Sequence, residues 1–219
     1  LRARNPDLAI DNCCGGGLRL DLEMNARATP LWRTDLCINP LFTGDLKTAA
    51  IQSQSAIARL NWWVPFNQQG IMGAEPYYLR SGFNGGLSYC QDIRPKDYLR
   101  KLLAKGLVEA RRMQTYVTGD FFPLYVQTTS AQEWCVYQWN RPEEGDGMIL
   151  AFRRHESPIE VLWVVPQEIE ANAAYEVTFS PSYKRGKPVE LKGKELVKLR
   201  LAITEQPGSL LVEYHKVSK

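Results

Sequence analysis

The sequence predicts two kinds of architecture in one chain, α/β in the first part and all-β in the second. In the first part, short apolar runs alternate with helical patterns, which is the spacing of parallel βαβ units. From residue 133 onward, β-branched and aromatic runs are separated by turn clusters at regular intervals, as in an antiparallel sandwich. The character changes near Gly119, so we predict two domains, 1–119 and 120–219.

The composition excludes several classes of function. The 219 residues are 44% hydrophobic and 23% charged, which is ordinary for a globular protein with a real core. A net charge of +3 is too small to indicate a nucleic-acid partner. No apolar run approaches the roughly 18 residues that a membrane-spanning helix needs. The sequence does not indicate a cellular compartment, because it shows no signal segment and begins abruptly, as if in mid-fold.

Cysteine usage gives no sign of a metal or a disulfide framework. Five cysteines are present and none of them has the C-x-x-C spacing of a zinc site. The adjacent pair Cys13–Cys14 is more simply interpreted as one functional thiol beside a small buried neighbour. We therefore expect no cofactor.

The first part of the chain is predicted to hold four strands with helices between them. The predicted strands are Leu8–Asn12, Pro30–Thr34, Arg59–Phe66 and Leu87–Cys90. The predicted helices cover residues 18–26, 46–58, 76–86 and 95–116. Asp45 is expected to cap the second of these helices, because its side chain can accept from the backbone N–H groups of the first turn.

The second part of the chain is predicted to hold seven strands. They are Glu133–Asn140, Met148–Arg153, Ile159–Val165, Ala174–Phe179, Pro188–Leu191, Leu199–Ile203 and Ser209–Lys216. Seven short strands at this spacing favour an antiparallel β-sandwich.

The candidate site lies in residues 10–35. Two apolar runs there end in polar residues, with a glycine-rich turn and a short helical pattern between them. In a parallel barrel, functional side chains sit at the carboxyl ends of the strands. The residues that we therefore expect on one face are Cys13, Cys14, Arg19, Asp21 and Asp35. Alternatively, the run Gly15–Gly17 cradles a phosphate or is only a tight turn, although it lacks the Lys-Ser/Thr of a P-loop.

Two motifs in this stretch carry a resemblance. CCGGGLRLD at 13–21 and WRTD at 32–35 resemble, in order and separation, the C-S-G-G-G-G-R-x-D and W-x-S-D signatures of melibiase-type α-galactosidases, glycoside hydrolase family 36. Residues 119–123, 134–141 and 148–153 resemble the barrel-to-sandwich junction and first sandwich strands of bacterial members. The resemblance implies a (β/α)₈ TIM barrel followed by a C-terminal β-sandwich, and hydrolysis of terminal α-galactosides with retention of configuration.

The resemblance also implies roles for individual residues. Asp35 matches the general acid/base. The residues that match the sugar-binding loop and its surroundings are Cys13, Gly16, Arg19, Asp21 and Trp32. Between Trp32 and Leu36, the Asp35 carboxyl would be partly desolvated, which favours its protonated form. The alternative is that Asp35 only caps a loop or the following helix.

Two further residues are candidates for substrate contact. Trp62 could stack on a sugar from the end of the third predicted strand, or it could be a core residue. Asp92 follows the fourth predicted strand, where it could serve either the substrate site or a loop cap.

The chain departs from the family pattern in ways that bear on function. Ile38 and Phe42 stand where the family has an Asp and an Arg, and Leu18 replaces a glycine. The K-W-D-type motif of the nucleophile is absent. Four strands are half of an eight-stranded barrel and look like its last half. We therefore expect the C-terminal portion of a longer enzyme, which would bind its missing half or self-associate through the open edges.

Three hypotheses follow. The first is a retaining glycosidase that acts on α-galactosides or related carbohydrates, with Asp35 as acid/base and the nucleophile on a missing upstream segment, so that the chain alone is inactive. The second is an inactive fragment or divergent relative that serves as a carbohydrate-binding or assembly module. The third is a phosphate-binding barrel that uses Gly15–Gly17.

Overall fold

A computed structural model of the protein describes residues 1, 3–35 and 45–217. The helices are α1 (Leu22–Arg27), α2 (Leu46–Leu60), α3 (Pro76–Gly82), α4 (Arg100–Met113) and α5 (Gly193–Leu196). The strands are β1 (Leu31–Trp32), β2 (Asn67–Gln68), β3 (Gly70–Ile71), β4 (Ser88–Tyr89), β5 (Asp120–Pro123), β6 (Trp134–Arg141), β7 (Asp146–Arg153), β8 (Val161–Val164), β9 (Ala174–Ser180), β10 (Val189–Lys192), β11 (Leu199–Ala202) and β12 (Gly208–Lys216). Within the described ranges, no helix is long and apolar enough to cross a membrane.

The first part of the chain contains short parallel segments that are neighbours in space in the order of the sequence. Asn12 forms a parallel bridge with Leu31, and β1 pairs in parallel with β2. β3 pairs in parallel with β4. Only Gln69 separates β2 from β3, so these two strands form one continuous stretch that meets β1 at one end and β4 at the other.

Two helices of this part, α2 and α3, pack against each other, and α3 contacts β3. The predicted cap is confirmed, because the Asp45 side chain accepts a hydrogen bond from the Thr48 N–H at 2.8 Å. α3 packs on α2. α3 also approaches β3 so closely that a side chain at Gly82 would collide with Ile71.

The second part of the chain is built on a six-stranded antiparallel sheet. Its strand order is β10-β9-β12-β7-β6-β5, and β8 and β11 form a separate two-stranded ribbon. All seven predicted strands are confirmed, with ends that differ by at most two residues. The sequence motif at 119–123 contributes a further strand, β5, at the edge of the sheet.

Both faces of the sheet are covered, which explains the nearly continuous burial of β6 and β7. On one face, Tyr137, Trp139 and Phe152 pack against α2 and α4 residues such as Ile57 and Met113. On the other face lies a second apolar cluster, which the β8–β11 ribbon closes. The arrangement is that of a sandwich whose second layer is small.

The predicted third strand is wrong. Arg59 and Leu60 complete the last turn of α2, and the strand begins only at Asn67. The run Trp62–Phe66 has the composition of a strand, but α2 continues because Ile57 and the residues around it bury a helical face against the sheet. The side chains of β2 are polar, buried and hydrogen-bonded. The sequence therefore has no apolar pattern there that would indicate a strand.

Several other predicted elements are shorter than expected. Of Leu8–Asn12, only Asn12 pairs, as an isolated bridge. The last helix of the first part begins at Arg100, because Pro95–Tyr98 form turns before it.

Candidate active site

The glycine loop (residues 13–17) lies against the segment that follows β1, at Arg33 and Asp35. At Gly16, with φ of +62°, a Cβ would lie 2.7 Å from the Asp35 backbone nitrogen and 3.1 Å from Asp35 Oδ2. At Gly17, with φ of +98°, a Cβ would collide with the Arg33 carbonyl oxygen. Both the backbone conformation and the close approach require glycine at these two positions. The loop and the Asp35 carboxyl therefore lie together at the end of β1.

Trp32 orients the Asp35 carboxyl. The indole Nε1–H donates a hydrogen bond to Asp35 Oδ1 at 2.7 Å. Both side chains are half-buried. The hydrogen bond fixes the rotamer of the acid, while Gly16 limits the space on its other side.

Along β1 and β2, successive side chains alternate between the two faces of the strands. This alternation shows which side chains lie on the same face as Trp32, the hydrogen-bonding partner of Asp35. The Arg33 guanidinium points toward α2, because its Nη2 donates to Ser53 Oγ at 3.0 Å. The same guanidinium donates to Asn67 Oδ1 at 2.8 Å, so Asn67 lies on that side as well. Successive side chains of a strand point to opposite faces. Trp32 and Gln68 therefore lie on the face opposite α2.

That opposite face carries a row of polar side chains that sequence reasoning missed. Gln68 Nε2 donates to Asp11 Oδ2 at 3.0 Å, and Ser88 Oγ donates to Gln68 Oε1 at 3.4 Å. Asp11 immediately precedes the segment that leads into the glycine loop, a position that could have drawn notice. Gln68 and Ser88 gave no signal, because the strands that hold them were too short or misplaced in the prediction.

The predicted sugar-binding residues of the loop have different surroundings. Cys13 is exposed beside the glycines. Asp21 is the N-cap of α1, where its side chain accepts from the Met24 N–H at 2.8 Å. The carbonyl oxygen of Arg19 accepts from Asn12 Nδ2 at 3.4 Å, and the Arg19 side chain is exposed.

The structure moves Trp62 away from its expected position. Trp62 lies in the turn between α2 and β2, with 61% of its surface exposed. A helix-to-strand turn leads into the amino end of a strand, whereas Asp35 follows the carboxyl end of β1. The strand that was predicted to hold Trp62 is therefore absent there, and a sugar contact by Trp62 stays a prediction.

Asp92 follows the carboxyl end of β4 and is exposed. Its carboxylate accepts from the backbone N–H and the Nε of Arg94, both at 2.9 Å. The hydrogen bonds from Arg94 hold the pKa of the Asp92 carboxyl below its usual value. Asp92 thus shares the edge on which Asp35 lies, but it acts there as the partner of Arg94.

Three residues that bear on the predicted site lie outside the described residues. They are Leu36, which was expected to flank Asp35, and Ile38 and Phe42, which depart from the family pattern. Among the residues that the structure describes, no group of three or more His, Cys, Asp or Glu side chains could hold a metal ion.

No family model and no curated protein matches the sequence, but solved structures match its fold. The GH36 α-galactosidase AgaA from Geobacillus stearothermophilus aligns over 99% of this chain with a TM-score of 0.73 and 16% identity. A doubly substituted AgaA in complex with raffinose gives 0.72 and 14% identity over 99% of this chain. The α-galactosidase from Lactobacillus brevis gives 0.73 and 16% identity over 100% of it.

The chain resembles a C-terminal part of these family 36 α-galactosidases. It spans 30% of the length of each of them. At 14–16% identity the likeness is one of fold. It agrees with the resemblance that the motifs at 13–21 and 32–35 indicate independently.

Proposed function

We propose that this chain carries part of the active site of a retaining, α-galactosidase-like glycoside hydrolase, with Asp35 as its general acid/base. One observation carries the proposal. The Asp35 carboxyl follows a parallel strand, accepts the Trp32 indole N–H at 2.7 Å and lies against Gly16 of the glycine loop. An acid held in one orientation beside a loop of accessible backbone suits proton transfer to a bound glycoside.

The proposal includes the last four βα units of a (β/α)₈ barrel in residues 1–119 and a C-terminal sandwich in 120–219. It is supported by the order of the parallel segments, which follows the sequence. It is also supported by the positions of α2 and α3 on the same face, as in a singly wound barrel. The opposite face, with Asp11, Trp32 and Gln68, would then line the interior of the barrel.

Retaining hydrolysis divides the chemistry between two carboxyl groups about 5–5.5 Å apart. Asp35 protonates the leaving oxygen and then, as carboxylate, activates water. The nucleophile belongs in this proposal to a segment outside the present sequence. Cys13, Gly16 and Arg19 contact the sugar, and Asp21 holds the loop by capping α1. The raffinose complex of AgaA supports a carbohydrate ligand.

The test is an assay of a chromogenic α-galactoside with the chain supplied with the segment that precedes it. Asp35→Ala should lower kcat by about 10²–10⁴-fold, which is the usual contribution of a general acid/base. Azide should restore turnover of a substrate with an activated leaving group. Asp92→Asn, which removes another carboxylate at the same edge, should leave kcat nearly unchanged. Equal losses in the two variants would contradict the role of Asp35.

A second candidate is a carbohydrate-binding or assembly module without turnover. It is favoured by the absence of a K-W-D-type nucleophile motif from the present sequence. Titration calorimetry with galactosides, together with no hydrolysis after the preceding segment is restored, would support it over the first.

A further inference from the structure

Two buried arginines contact neighbouring residues of α2 from opposite sides. Arg33, which precedes Asp35 by two residues, donates from Nη2 to Ser53 Oγ at 3.0 Å. Arg154, which directly follows β7 of the antiparallel sheet, donates from Nε to Gln54 Oε1 at 3.0 Å. Arg33 is 4% exposed and Arg154 is fully buried. α2 therefore lies between a group of the candidate site and a group of the sheet.

The contact points on α2 are held as a unit by α3. Ser53 Oγ donates to the Ser81 carbonyl oxygen at 2.7 Å, and Gln54 Nε2 donates to Ser81 Oγ at 2.9 Å. Ser53 and Gln54 therefore share one serine as a hydrogen-bonding partner, through its carbonyl oxygen and its hydroxyl.

On the site side, Arg33 determines where the end of β1 lies. Its guanidinium also donates to Asn67 Oδ1 at 2.8 Å and to Gln69 Oε1. Its carbonyl oxygen lies against Gly17, so that no Cβ fits between them. The position of the Arg33 backbone thus determines two other positions, that of the glycine loop and that of the segment that leads to Asp35.

On the sheet side, Arg154 is fixed by four acceptors. Besides Gln54, it donates from Nη1 to the carbonyl oxygens of Thr128 and Ser130, at 2.7 and 2.8 Å, and from Nη2 to Ser55 Oγ at 3.1 Å. A planar guanidinium with this many partners has one allowed orientation.

We propose that Arg154 and Arg33 are positioning residues that connect the antiparallel sheet, through Ser53 and Gln54, to the Asp35 carboxyl. The inference rests on the proposed function for its kinetic consequence, but the geometric connection is a property of this chain. The antiparallel sheet then contributes to the site without contacting substrate.

Three variants test the connection in this chain. Ser53→Ala removes the hydroxyl that receives Arg33 while leaving the helix intact. Arg154→Met removes the sheet-side contacts, and Arg154→Lys keeps the charge and part of the hydrogen bonding. The control is Arg59→Gln, since exposed Arg59 also lies on α2 and donates to the Gln127 carbonyl oxygen at 3.0 Å without touching this set.

Hydrogen–deuterium exchange of the chain is the first readout. We expect faster exchange in residues 13–21 and 31–35 in Ser53→Ala and Arg154→Met, a smaller increase in Arg154→Lys, and none in Arg59→Gln. Unchanged exchange in residues 13–21 of Ser53→Ala overturns the proposal. An increase that extends equally over β6 and β7 also overturns it, because that would be general destabilisation.

Kinetics are the second readout. They are measured on a chromogenic α-galactoside with the chain supplied with the segment that precedes it. Misplacement of a reacting group by about 1 Å can cost up to about 100-fold in rate. We therefore expect kcat to fall by about 10- to 100-fold in Arg154→Met with KM little changed, and Arg154→Lys to recover part of it. Local exchange changes in a protein without glycosidase activity would refute the proposed function and support the connection. Glycosidase activity with unchanged hydrogen–deuterium exchange would support the proposed function and refute the connection.

Discussion

In the first part of the molecule each parallel strand is two residues long, whereas β12 of the antiparallel sheet runs for nine. The short strands are supplemented by buried polar side chains. Asn61, Asn67 and Asn84 form a closed group in which Asn61 donates to Asn84 Oδ1, Asn67 to Asn61 Oδ1 and Asn84 to the Asn67 carbonyl oxygen, each at 2.8 Å. The antiparallel sheet instead buries a large apolar cluster on each of its faces.

The difference shows how stability and precision are divided. Apolar burial is non-directional and scales with area, so the sheet supplies much of the stabilisation. Hydrogen-bonded polar groups contribute less net energy, but their bonds are directional and restrict the arrangement of the groups. The region that holds Asp35 uses the second means, which fits a site whose atoms must be fixed.

The largest expected effect is in the core of the sheet. Trp139 is 1% exposed and packs against Phe83, Phe121 and Tyr137. Trp139→Ala should lower the free energy of unfolding by about 4 kcal/mol, because lost burial and a cavity add. Urea unfolding followed by circular dichroism measures it. Trp163→Ala, at an exposed tryptophan of β8, should change stability by less than about 0.5 kcal/mol. Similar losses would refute the division described above.

The next effect tests the junction between the two parts. Arg80 of α3 makes a two-point ion pair with Glu109 of α4, at 2.7 and 2.9 Å, and also donates to the Ser209 carbonyl oxygen of β12. Glu109→Ala should cost about 3 kcal/mol, because it leaves the Arg80 charge buried without its main partner.

The control is the exposed pair between Asp92 and Arg94. Asp92→Ala should leave the urea midpoint unchanged, because solvent screens exposed charges. A Glu109→Ala midpoint equal to that of the unsubstituted protein would show that the buried pair contributes nothing at the junction.

Gly16→Ala should have a smaller effect on stability. The left-handed backbone conformation costs about 1–2 kcal/mol for a residue with a Cβ, and the added methyl would press on Asp35. Gly86→Ala is the matched control, since a Cβ there meets only Gln68 Oε1, at an ordinary 3.7 Å. Thermal unfolding compares the two. If Gly16→Ala is the milder change, the close contact between the loop and Asp35 is wrong.

Asp45→Ala should have the smallest effect, about 1 kcal/mol, through loss of the α2 cap. The hydrogen bond from the Thr48 N–H lowers the pKa of the Asp45 carboxyl below its usual 3.8. The folded state therefore favours the carboxylate, so the contribution is present at neutral pH and is lost as the pH falls below about 4. The stability difference between the two proteins should shrink between pH 6 and pH 3. A difference independent of pH would contradict the capping role.

Much of the antiparallel sheet could be predicted from the sequence because its strands are long and apolar. β6 and β7 differ from their predicted bounds by one or two residues, since β-branched and aromatic runs are bounded by clear turns. The strand β2, which stands in place of the third predicted strand, could not be found in this way. Asn67 and Gln68 carry no apolar signal, and their burial depends on partners such as Arg33 that are distant in sequence.

The site was predictable where a local motif fixed it. The nearness of the glycine loop to Asp35 follows from the two motifs and a short βα connection, and the structure brings them into contact. The hydrogen bond between Asp11 and Gln68 spans 57 positions, and no pattern in either segment foretells it. Trp62 was assigned to a strand for the same reason that the third strand was predicted wrongly. The turn that holds Trp62 is rich in aromatic residues, and its composition is therefore that of a strand.

β12 lies between β7 and β9, with hydrogen-bonded neighbours on both sides. Until residues 208–216 have been synthesised, β7 and β9 each present a backbone edge without its hydrogen-bonding partner. The six-stranded sheet can therefore close only after its central strand, the last of the six in the sequence, has been made.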